Sequence, residues 1–301
     1  MKIVMEYGSS SNEISSITWD FAFYGNIIDE RCNIAVQYIN KEAKECKSIT
    51  YNADESKIYF NNSESYWVDD IQDYLRTIGI CSSSKILFEC SSLGVAELLI
   101  MMQAIKDIGC KSFDSLYLEP KQYSKYCLDF TERHHFNLST EFEGFKAIPG
   151  HALAFEKGDK AAILCGYESE RIGRAFEETA IQGRDCQLLF GMPPYTIGWD
   201  MNSYTNHLPV IDSCDISTEF YYVGAANPLS VCECLEKVYN GIEKEQKLFI
   251  FPFGTKPMSL GACLFKITHD EENLSFMYDH PKRRKNRTLN IARWNLYRIW
   301  L

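Results

Sequence analysis

The chain has 301 residues, of which 46% are hydrophobic and 24% charged. These are values of an ordinary globular protein, and they exclude a disordered or fibrous chain. A chain of this length buries enough surface that its stability requires neither disulfides nor metal ions. The net charge of −10 disfavours a general nucleic-acid coat, but residues 281–301 carry seven Lys or Arg and no acidic residue, which leaves −17 on the remainder.

The twelve cysteines form no C-x-x-C pair, and the six histidines supply no zinc-ligand pattern. Most cysteines lie in apolar segments, where we expect them to be small buried core residues. The N-terminal segment lacks the apolar stretch of a secretory signal, and the longest apolar run, around residues 98–102, is too short to cross a membrane. These features predict a cytoplasmic protein without membrane contact.

Short β-rich segments alternate with amphipathic helical stretches along the chain. The predicted strands cover residues 17–24, 48–52, 85–89, 115–118, 161–166, 187–190, 220–223, 248–251 and 274–278. Apolar residues recur at helical spacing at 32–39, 71–78 and 235–242, and Asn227 before Pro228 predicts a helix start. Because several strands are apolar throughout, this order predicts a Rossmann-like α/β protein with a mostly parallel sheet flanked by helices.

Two segments of the chain, 85–120 and 247–281, resemble each other. Each reads as a strand, a small-residue loop containing Ser-Leu-Gly, an apolar helix, a second strand and a Tyr-x-x-Pro sequence. Their fixed spacing favours two similar α/β halves, at residues 1–150 and 151–301, that share one cleft. The alternative is the general likeness of any two βαβ units.

Ligands of open parallel sheets bind outside the carboxyl ends of the strands. The loops that follow the predicted strands are rich in glycine and in polar residues, which include Ser91, Ser92, Asn227 and Tyr278. Glycine lets the backbone approach a ligand closely, and the first N–H groups of the next helix favour an anion. The sequence therefore predicts a site for a nucleotide or another anionic small molecule.

The sharpest of these loops is Gly254-Thr255-Lys256-Pro257-Met258. Gly254 eases the turn, Thr255 can cap the following helix, Lys256 supplies a cation and Pro257 fixes the first helical turn. The Walker A pattern is absent from the sequence, so this is not a P-loop. The alternative to ligand binding is an ordinary strand-to-helix turn with a solvated lysine.

This loop resembles the G-T-K-x-M segment of CARF domains, which are Rossmann-like sensors of cyclic oligoadenylates in CRISPR-linked immunity. The resemblance implies that Lys256 lies at the nucleotide phosphates, with Gly254 and Thr255 beside it. It also implies a sensor or subunit of a bacterial antiviral defence system that acts with protein partners. A CARF site forms between two such domains, so the Ser-Ser-Leu-Gly loop of the first half would face the lysine loop of the second. The sequence departs from the family at Phe253, where a second glycine is usual.

An enzymatic alternative uses charged residues in the same loops. Glu168 and Glu170 lie where a predicted helix starts, and they could serve as a general base, as could Asp279 after the last predicted strand. Arg171 could bind a phosphate with two hydrogen bonds. The enzyme would be a hydrolase or transferase acting on a nucleotide or a sugar phosphate, with no cofactor identified by the sequence. Acidic residues in a first helical turn are also common because they favour the helix dipole.

A basic cluster follows the last predicted strand, at Lys282, Arg283, Arg284, Lys285 and Arg287. It could bind nucleic acid or an acidic protein as a scaffold, or fold back so that one or two of its cations line the ligand cleft. A solvated basic surface is the third possibility. The aromatic residues that follow, between 294 and 300, indicate a docked C-terminus rather than a free tail.

Overall fold

The computed structural model describes residues 1–14, 17–124, 136, 138–269 and 273–301. The chain forms two units: unit 1 consists of Met1–Ser124 and Lys285–Leu301, and unit 2 of Lys125–Arg284. This division differs from the predicted halves, 1–150 and 151–301, because the final strand returns to the sheet that the first part of the chain builds. The C-terminal segment is thus docked within unit 1.

The strands and helices are numbered in chain order. The strands are β1 (Lys2–Gly8), β2 (Trp19–Tyr24), β3 (Ala43–Asn52), β4 (Lys57–Phe60), β5 (Glu64–Trp67), β6 (Ile86–Glu89), β7 (Ser112–Tyr123), β8 (Ser139–Phe142), β9 (Lys160–Cys165), β10 (Cys186–Gly191), β11 (Phe220–Val223), β12 (Leu248–Pro252), β13 (Leu274–Phe276), β14 (Pro281–Arg283) and β15 (Thr288–Trp300). The helices are α1 (Glu30–Glu42), α2 (Ile71–Thr77), α3 (Val95–Ile108), α4 (Glu170–Glu178), α5 (Trp199–Ser213), α6 (Pro228–Asn240) and α7 (Lys256–Thr268).

Unit 1 contains a mixed sheet with the strand order β1-β15-β7-β6-β2-β3-β4-β5. Its four central strands, β7, β6, β2 and β3, are parallel to one another, as predicted. Antiparallel pairs extend the sheet on both sides. The direction of chain progression reverses between β2 and β6, since β3 follows β2 on one side and β7 follows β6 on the other.

The core of unit 1 confirms the helical spacing read from the sequence. Helix α1 buries Cys32, Ala35, Val36 and Ile39, which are the residues at i, i+3, i+4 and i+7. They pack toward strands β2, β6 and β7, where Trp19 is fully buried. Burying each large apolar side chain contributes about 1.5–3 kcal/mol, so this one face holds α1 on the sheet.

Unit 2 contains a five-stranded sheet that is parallel throughout, with the order β11-β10-β9-β12-β13. Its chain progression reverses between β9 and β12, which is the strand order of a Rossmann-like fold. The predicted fold class is therefore confirmed, with the parallel sheet complete in unit 2 and extended by antiparallel strands in unit 1. A separate two-stranded antiparallel sheet joins β8 and β14.

The two similar sequence segments form βαβ units at equivalent places. β6–α3–β7 and β12–α7–β13 each begin with the strand that lies next to the reversal in its own sheet. The shared Ser-Leu-Gly letters are not equivalent, however. Ser92 to Gly94 lie in the loop before α3, whereas Ser259 to Gly261 lie inside α7. The likeness of the two segments is therefore one of topology rather than of the loop itself.

Candidate functional site

The carboxyl ends of β9 and β12 are neighbours at the reversal in unit 2, where the sequence predicts a ligand site. The loops that leave these strands touch. A Cβ atom on Gly166 would overlap the carbonyl oxygen of Phe253, so only glycine permits this approach. Ser203 of α5 donates a hydrogen bond to the carbonyl oxygen of Gly166 at 2.5 Å. Because the two loops are in contact, a ligand has to lie outside them, at the starts of the neighbouring helices.

Helix α7 begins as the sequence predicts. Thr255 accepts a hydrogen bond from the backbone N–H of Met258 at 3.3 Å and so caps the helix. Its hydroxyl donates to the carbonyl oxygen of Ala225 at 2.5 Å, which ties the start of α7 to the loop after β11. Lys256 is the first residue of the helix and is half-buried, and Gly254 packs against Met258.

Helix α6 begins close in sequence to Ala225, the residue that accepts the hydrogen bond from Thr255. The side chain of Asn227 accepts hydrogen bonds from the backbone N–H groups of Leu229 at 3.0 Å and Ser230 at 3.3 Å, which confirms the predicted N-cap. Ser230 in turn donates to the carbonyl oxygen of Asn227. The carbonyl of Ala225 links this loop to Thr255, so the structure brings Asn227, Thr255 and Lys256 to one edge of the sheet.

Two further predicted residues, Arg171 and Asp279, form a buried ion pair. The Nε and Nη2 groups of Arg171 donate to the two carboxylate oxygens of Asp279 at 2.8 and 2.5 Å. The guanidinium lies 4.3 Å from the ring of Phe253 and 5.8 Å from that of Tyr278. Burial opposes the charged form of Arg171, but Asp279 outweighs this and raises its pKa above the ordinary value. The pair satisfies both charges within unit 2.

The predicted acid–base carboxylates have different surroundings. Glu168 accepts hydrogen bonds from the backbone N–H groups of Leu138 at 3.0 Å and Ser139 at 2.8 Å, and from the Ser139 hydroxyl at 3.0 Å. It thereby holds the start of β8 to the loop after β9. Glu170 is the exposed first residue of α4. Neither arrangement places the two glutamates at one reaction centre.

The basic cluster is partly neutralised by an acidic strand. β14 pairs with β8, and the Lys282 ammonium lies 2.9 Å from Glu141 and 3.8 Å from Glu143. The hydrogen bond to Glu141 raises the pKa of Lys282. Arg283 is half-buried in β14, and the backbone N–H of Arg284 donates to the carbonyl oxygen of Leu138 at 2.9 Å. The first three cations are thus part of a folded strand and its end rather than of a mobile tail.

In unit 1, the predicted ligand residues Ser91 and Ser92 are fully buried. Ser91 Oγ accepts a hydrogen bond from the backbone N–H of Leu118 at 3.0 Å, and Ser92 Oγ accepts one from Gly25 at 2.8 Å. Their backbone N–H groups donate to the Glu89 carboxylate at 2.8 and 2.9 Å, and the Ser92 hydroxyl donates to it as well. Ser92 therefore joins the two loops at the reversal in unit 1, and Ser91 joins the loop after β6 to β7.

Sequence reasoning missed the centre of that network, Glu89. It is the last residue of β6 and is fully buried, and burial raises its pKa. In the part of the chain that the structure describes, no Lys or Arg forms an ion pair with it. A single acidic residue at the end of the apolar strand Ile-Leu-Phe-Glu, followed after Cys90 by two serines, is the signal that could have found it.

Among the described residues, no three His, Cys, Asp or Glu side chains come together as a metal site. None of the cysteines in those residues forms a disulfide, and most of them are buried. No described helix combines the length and the apolar character that crossing a bilayer demands.

No protein-family model matches the sequence, and a search of curated proteins finds no significant match. Among solved structures, the chain is similar to a ketoreductase domain from the bacillaene assembly line. The two share 9% identity over 82% of this chain and 61% of that chain, with a TM-score of 0.21. The assignment of a Rossmann-like fold therefore rests on the strand order of this chain.

Proposed function

We propose that unit 2 binds an anionic small molecule, in the first place a nucleotide, at the edge of the sheet where α6 and α7 begin. The observation that carries this proposal is the hydrogen bond from Thr255 to the carbonyl oxygen of Ala225. It brings two helix starts together at the carboxyl edge of a parallel sheet, and Lys256 lies in the first turn of one of them.

The electrostatic field at this edge of the sheet favours an anionic ligand. Each helix presents the positive end of its dipole at this edge, and Lys256 supplies a cation in the first turn of α7. Arg171 adds little, because Asp279 neutralises it. The ligand would therefore contact Gly254, Thr255 and Lys256 directly, with Asn227 supporting the site by capping α6.

The biological setting is part of the same proposal. The likeness of the Gly254-to-Met258 loop to CARF domains supports a sensor or subunit of an antiviral defence system that works with a protein partner in the cytoplasm. The cap at Thr255 and the helix start at Lys256 are what the loop needs in order to present its lysine at a phosphate.

The two alternatives have less support from the geometry. A hydrolase or transferase would need a carboxylate at the ligand, but Glu168 and Asp279 are held by internal bonds, which leaves Glu170 as its acid or base. A scaffold for nucleic acid or an acidic protein would use the basic cluster, where Lys282 already pairs with Glu141. Both stay predictions.

The test compares ligands that co-purify with the full chain and with two variants, Lys256→Ala and the control Lys244→Ala. Lys244 is an exposed lysine of the same unit that precedes β12, whereas the loop with Lys256 follows that strand. Mass spectrometry should find an anionic compound with the parent chain and the control. Titration with that compound, or with ATP and a cyclic oligoadenylate if none co-purifies, should show Lys256→Ala weakening binding about tenfold or more, as loss of a charged contact predicts.

Binding that Lys256→Ala leaves unchanged, or the absence of binding to every anion tried, would refute the proposal. Turnover of the ligand that Glu170→Gln abolishes would instead establish the enzyme. Salt-sensitive binding of RNA or DNA that requires Lys285 and Arg287 would establish the scaffold.

A further inference from the structure

Strand β1 is an edge strand of the mixed sheet in unit 1. It pairs with β15 over residues 2–8, and the described sheet places no strand on its other side. An edge strand of this length presents a row of backbone N–H and C=O groups that can pair with another chain. Proteins usually protect such an edge by proline, by a bulge, by charge or by making the strand short, and β1 contains no proline and pairs in unbroken register.

The opposite edge of the same sheet is protected. β5 has four residues, begins with an exposed glutamate at position 64, and is followed after Val68 by the acidic residues Asp69 and Asp70. A short, acidic strand discourages pairing with a second chain. The contrast between the two edges indicates that β1 is kept open for a partner.

Exposed apolar side chains concentrate on and beside β1. Tyr7 is 67% exposed, and Met1, Val4 and Met5 are each more than a third exposed. Trp300, at the paired end of β15, is 40% exposed. Apolar residues scattered singly over a surface need no explanation, but a group of them along one sheet edge is typical of an interaction site.

The alternation of residues along β1 identifies the partner. Successive side chains of a strand point to opposite faces, so positions 1, 3, 5 and 7 share one face and positions 2, 4 and 6 share the other. The first set is Met, Ile, Met and Tyr, and the second is Lys, Val and Glu. Lys2 and Glu6 therefore lie at equal distances on either side of Val4.

We propose that two copies of this chain associate through β1, antiparallel about a two-fold axis at Val4, and so join their sheets into one. In this register Lys2 lies opposite the partner's Glu6, and Glu6 opposite the partner's Lys2. On the other face, Met1 lies opposite the partner's Tyr7 and Ile3 opposite the partner's Met5. A two-fold interface has to be complementary to itself, and this sequence satisfies that condition at every position.

The ion pair already present strengthens the arrangement. Glu6 lies 2.9 Å from the Nε of Arg298 on the neighbouring strand. In the dimer its carboxylate would lie between Arg298 and the partner's Lys2, which makes a small network rather than an isolated surface pair. Opposite charges directly across two strands stabilise pairing, whereas like charges destabilise it.

The test is sedimentation equilibrium of the full chain over roughly 1–100 µM, the range in which a modest interface is measured. The variants are Lys2→Glu, Glu6→Lys and the double exchange. Each single variant places like charges opposite each other at both ends of the interface and should raise the dimer dissociation constant about tenfold or more. The double exchange restores opposite charges across the interface but places a lysine beside Arg298, so it should recover part of the affinity. Lys121→Glu, a charge reversal at an exposed position of β7, is the control and should change nothing.

Amide hydrogen exchange supplies a second measurement that does not depend on the variants. Protection of residues 2–7 should rise with protein concentration, while protection of β5 should not. A chain that stays monomeric over this range overturns the proposal. A dimer whose dissociation constant Lys2→Glu leaves unchanged also overturns it. So does a dimer that the double exchange fails to strengthen relative to the single variants. Either outcome would mean that the interface or its register lies elsewhere.

Discussion

In both units the loops at the reversal of strand order touch in a similar way. The two units differ in the groups that hydrogen-bond the buried carboxylate near this contact. In each, a glycine lets two strand-end loops touch: Gly25 against the carbonyl of Ser92 in unit 1, and Gly166 against that of Phe253 in unit 2. In unit 1 the nearby carboxylate, Glu89, is held by N–H and hydroxyl donors. In unit 2 the carboxylate of Asp279 is held by a cation.

The comparison shows what topology dictates and what it leaves open. Bringing two loops together at the reversal excludes a side chain at the contact, so glycine occurs at both places. A buried carboxylate near the contact needs donors, and either backbone N–H groups or a guanidinium can supply them. Four sets of substitutions test these similarities and differences between the units.

The largest effect is expected from Asp279→Asn, which leaves the buried guanidinium of Arg171 without its counter-charge. Removing one partner of a buried ion pair typically costs about 3–5 kcal/mol. We expect the urea-induced unfolding transition of unit 2 to shift by that free energy. The double variant Arg171→Met, Asp279→Leu removes both charges and should recover most of the loss. Equal destabilisation in the single and double variants would contradict the assignment.

A smaller effect is expected from adding a methyl group at either loop contact. Gly166→Ala and Gly25→Ala each force a Cβ atom against a carbonyl oxygen and should destabilise their own unit by about 1–3 kcal/mol. Gly173→Ala in α4 is the matched control, because the nearest atom to its Cβ would be 3.8 Å away. There alanine should stabilise the helix by up to about 1 kcal/mol. Thermal unfolding of the three variants would show whether the contacts are as tight as described.

Removing a helix cap should have a still smaller effect. Thr255→Ala removes the cap of α7 and the tie to Ala225, at an expected loss of about 1 kcal/mol in urea unfolding. Thr255→Ser keeps the hydroxyl and should keep most of the stability. Helix α3, which has the equivalent place in unit 1, has Gly94 at its N-cap and therefore no capping side chain. A loss in Thr255→Ser as large as in Thr255→Ala would show that the hydroxyl does not cap the helix.

The last prediction concerns how the free energy of unfolding changes with pH. Burial raises the pKa of Glu89 above its ordinary value of 4.5, so the folded chain holds this proton more tightly than the unfolded chain does. The resulting stability is fully present below pH 4.5 and is lost as the pH rises through the raised pKa. Relative to Glu89→Gln, the parent protein should therefore lose unfolding free energy with rising pH in this window. If the unfolding free energy of the two proteins depends on pH in the same way, the pKa of Glu89 is not raised in the folded chain.

Local chemistry made part of this structure predictable. The buried face of α1 follows from side-chain spacing alone, and the caps at Asn227 and Thr255 follow from residue type and the proline after each helix start. The strand predicted at 248–251 is present at 248–252, because a short apolar run that ends near proline and glycine is typical of a buried strand. Each of these features depends on residues within one or two turns of each other.

The remainder depends on partners far along the chain. β1 and β15 pair although almost the whole sequence separates them, and the aromatic residues between 294 and 300 indicate a docked C-terminus without showing which strand it pairs with. The pairing of Arg171 with Asp279 joins positions 108 residues apart, so the sequence showed two candidate functional groups where the structure has one ion pair. No local sequence pattern predicts that these two residues form an ion pair.

The place of β15 has a consequence for how the chain is made. β15 lies between β1 and β7, so β1 has no neighbour in its sheet until residues 288–300 have been synthesised. Every residue of unit 2 is synthesised, and leaves the ribosome, before those of β15. Domains generally fold as units during synthesis. We therefore expect the inserted unit to resist proteases on nascent chains halted when residue 284 has just left the ribosome, while unit 1 is the last to become resistant.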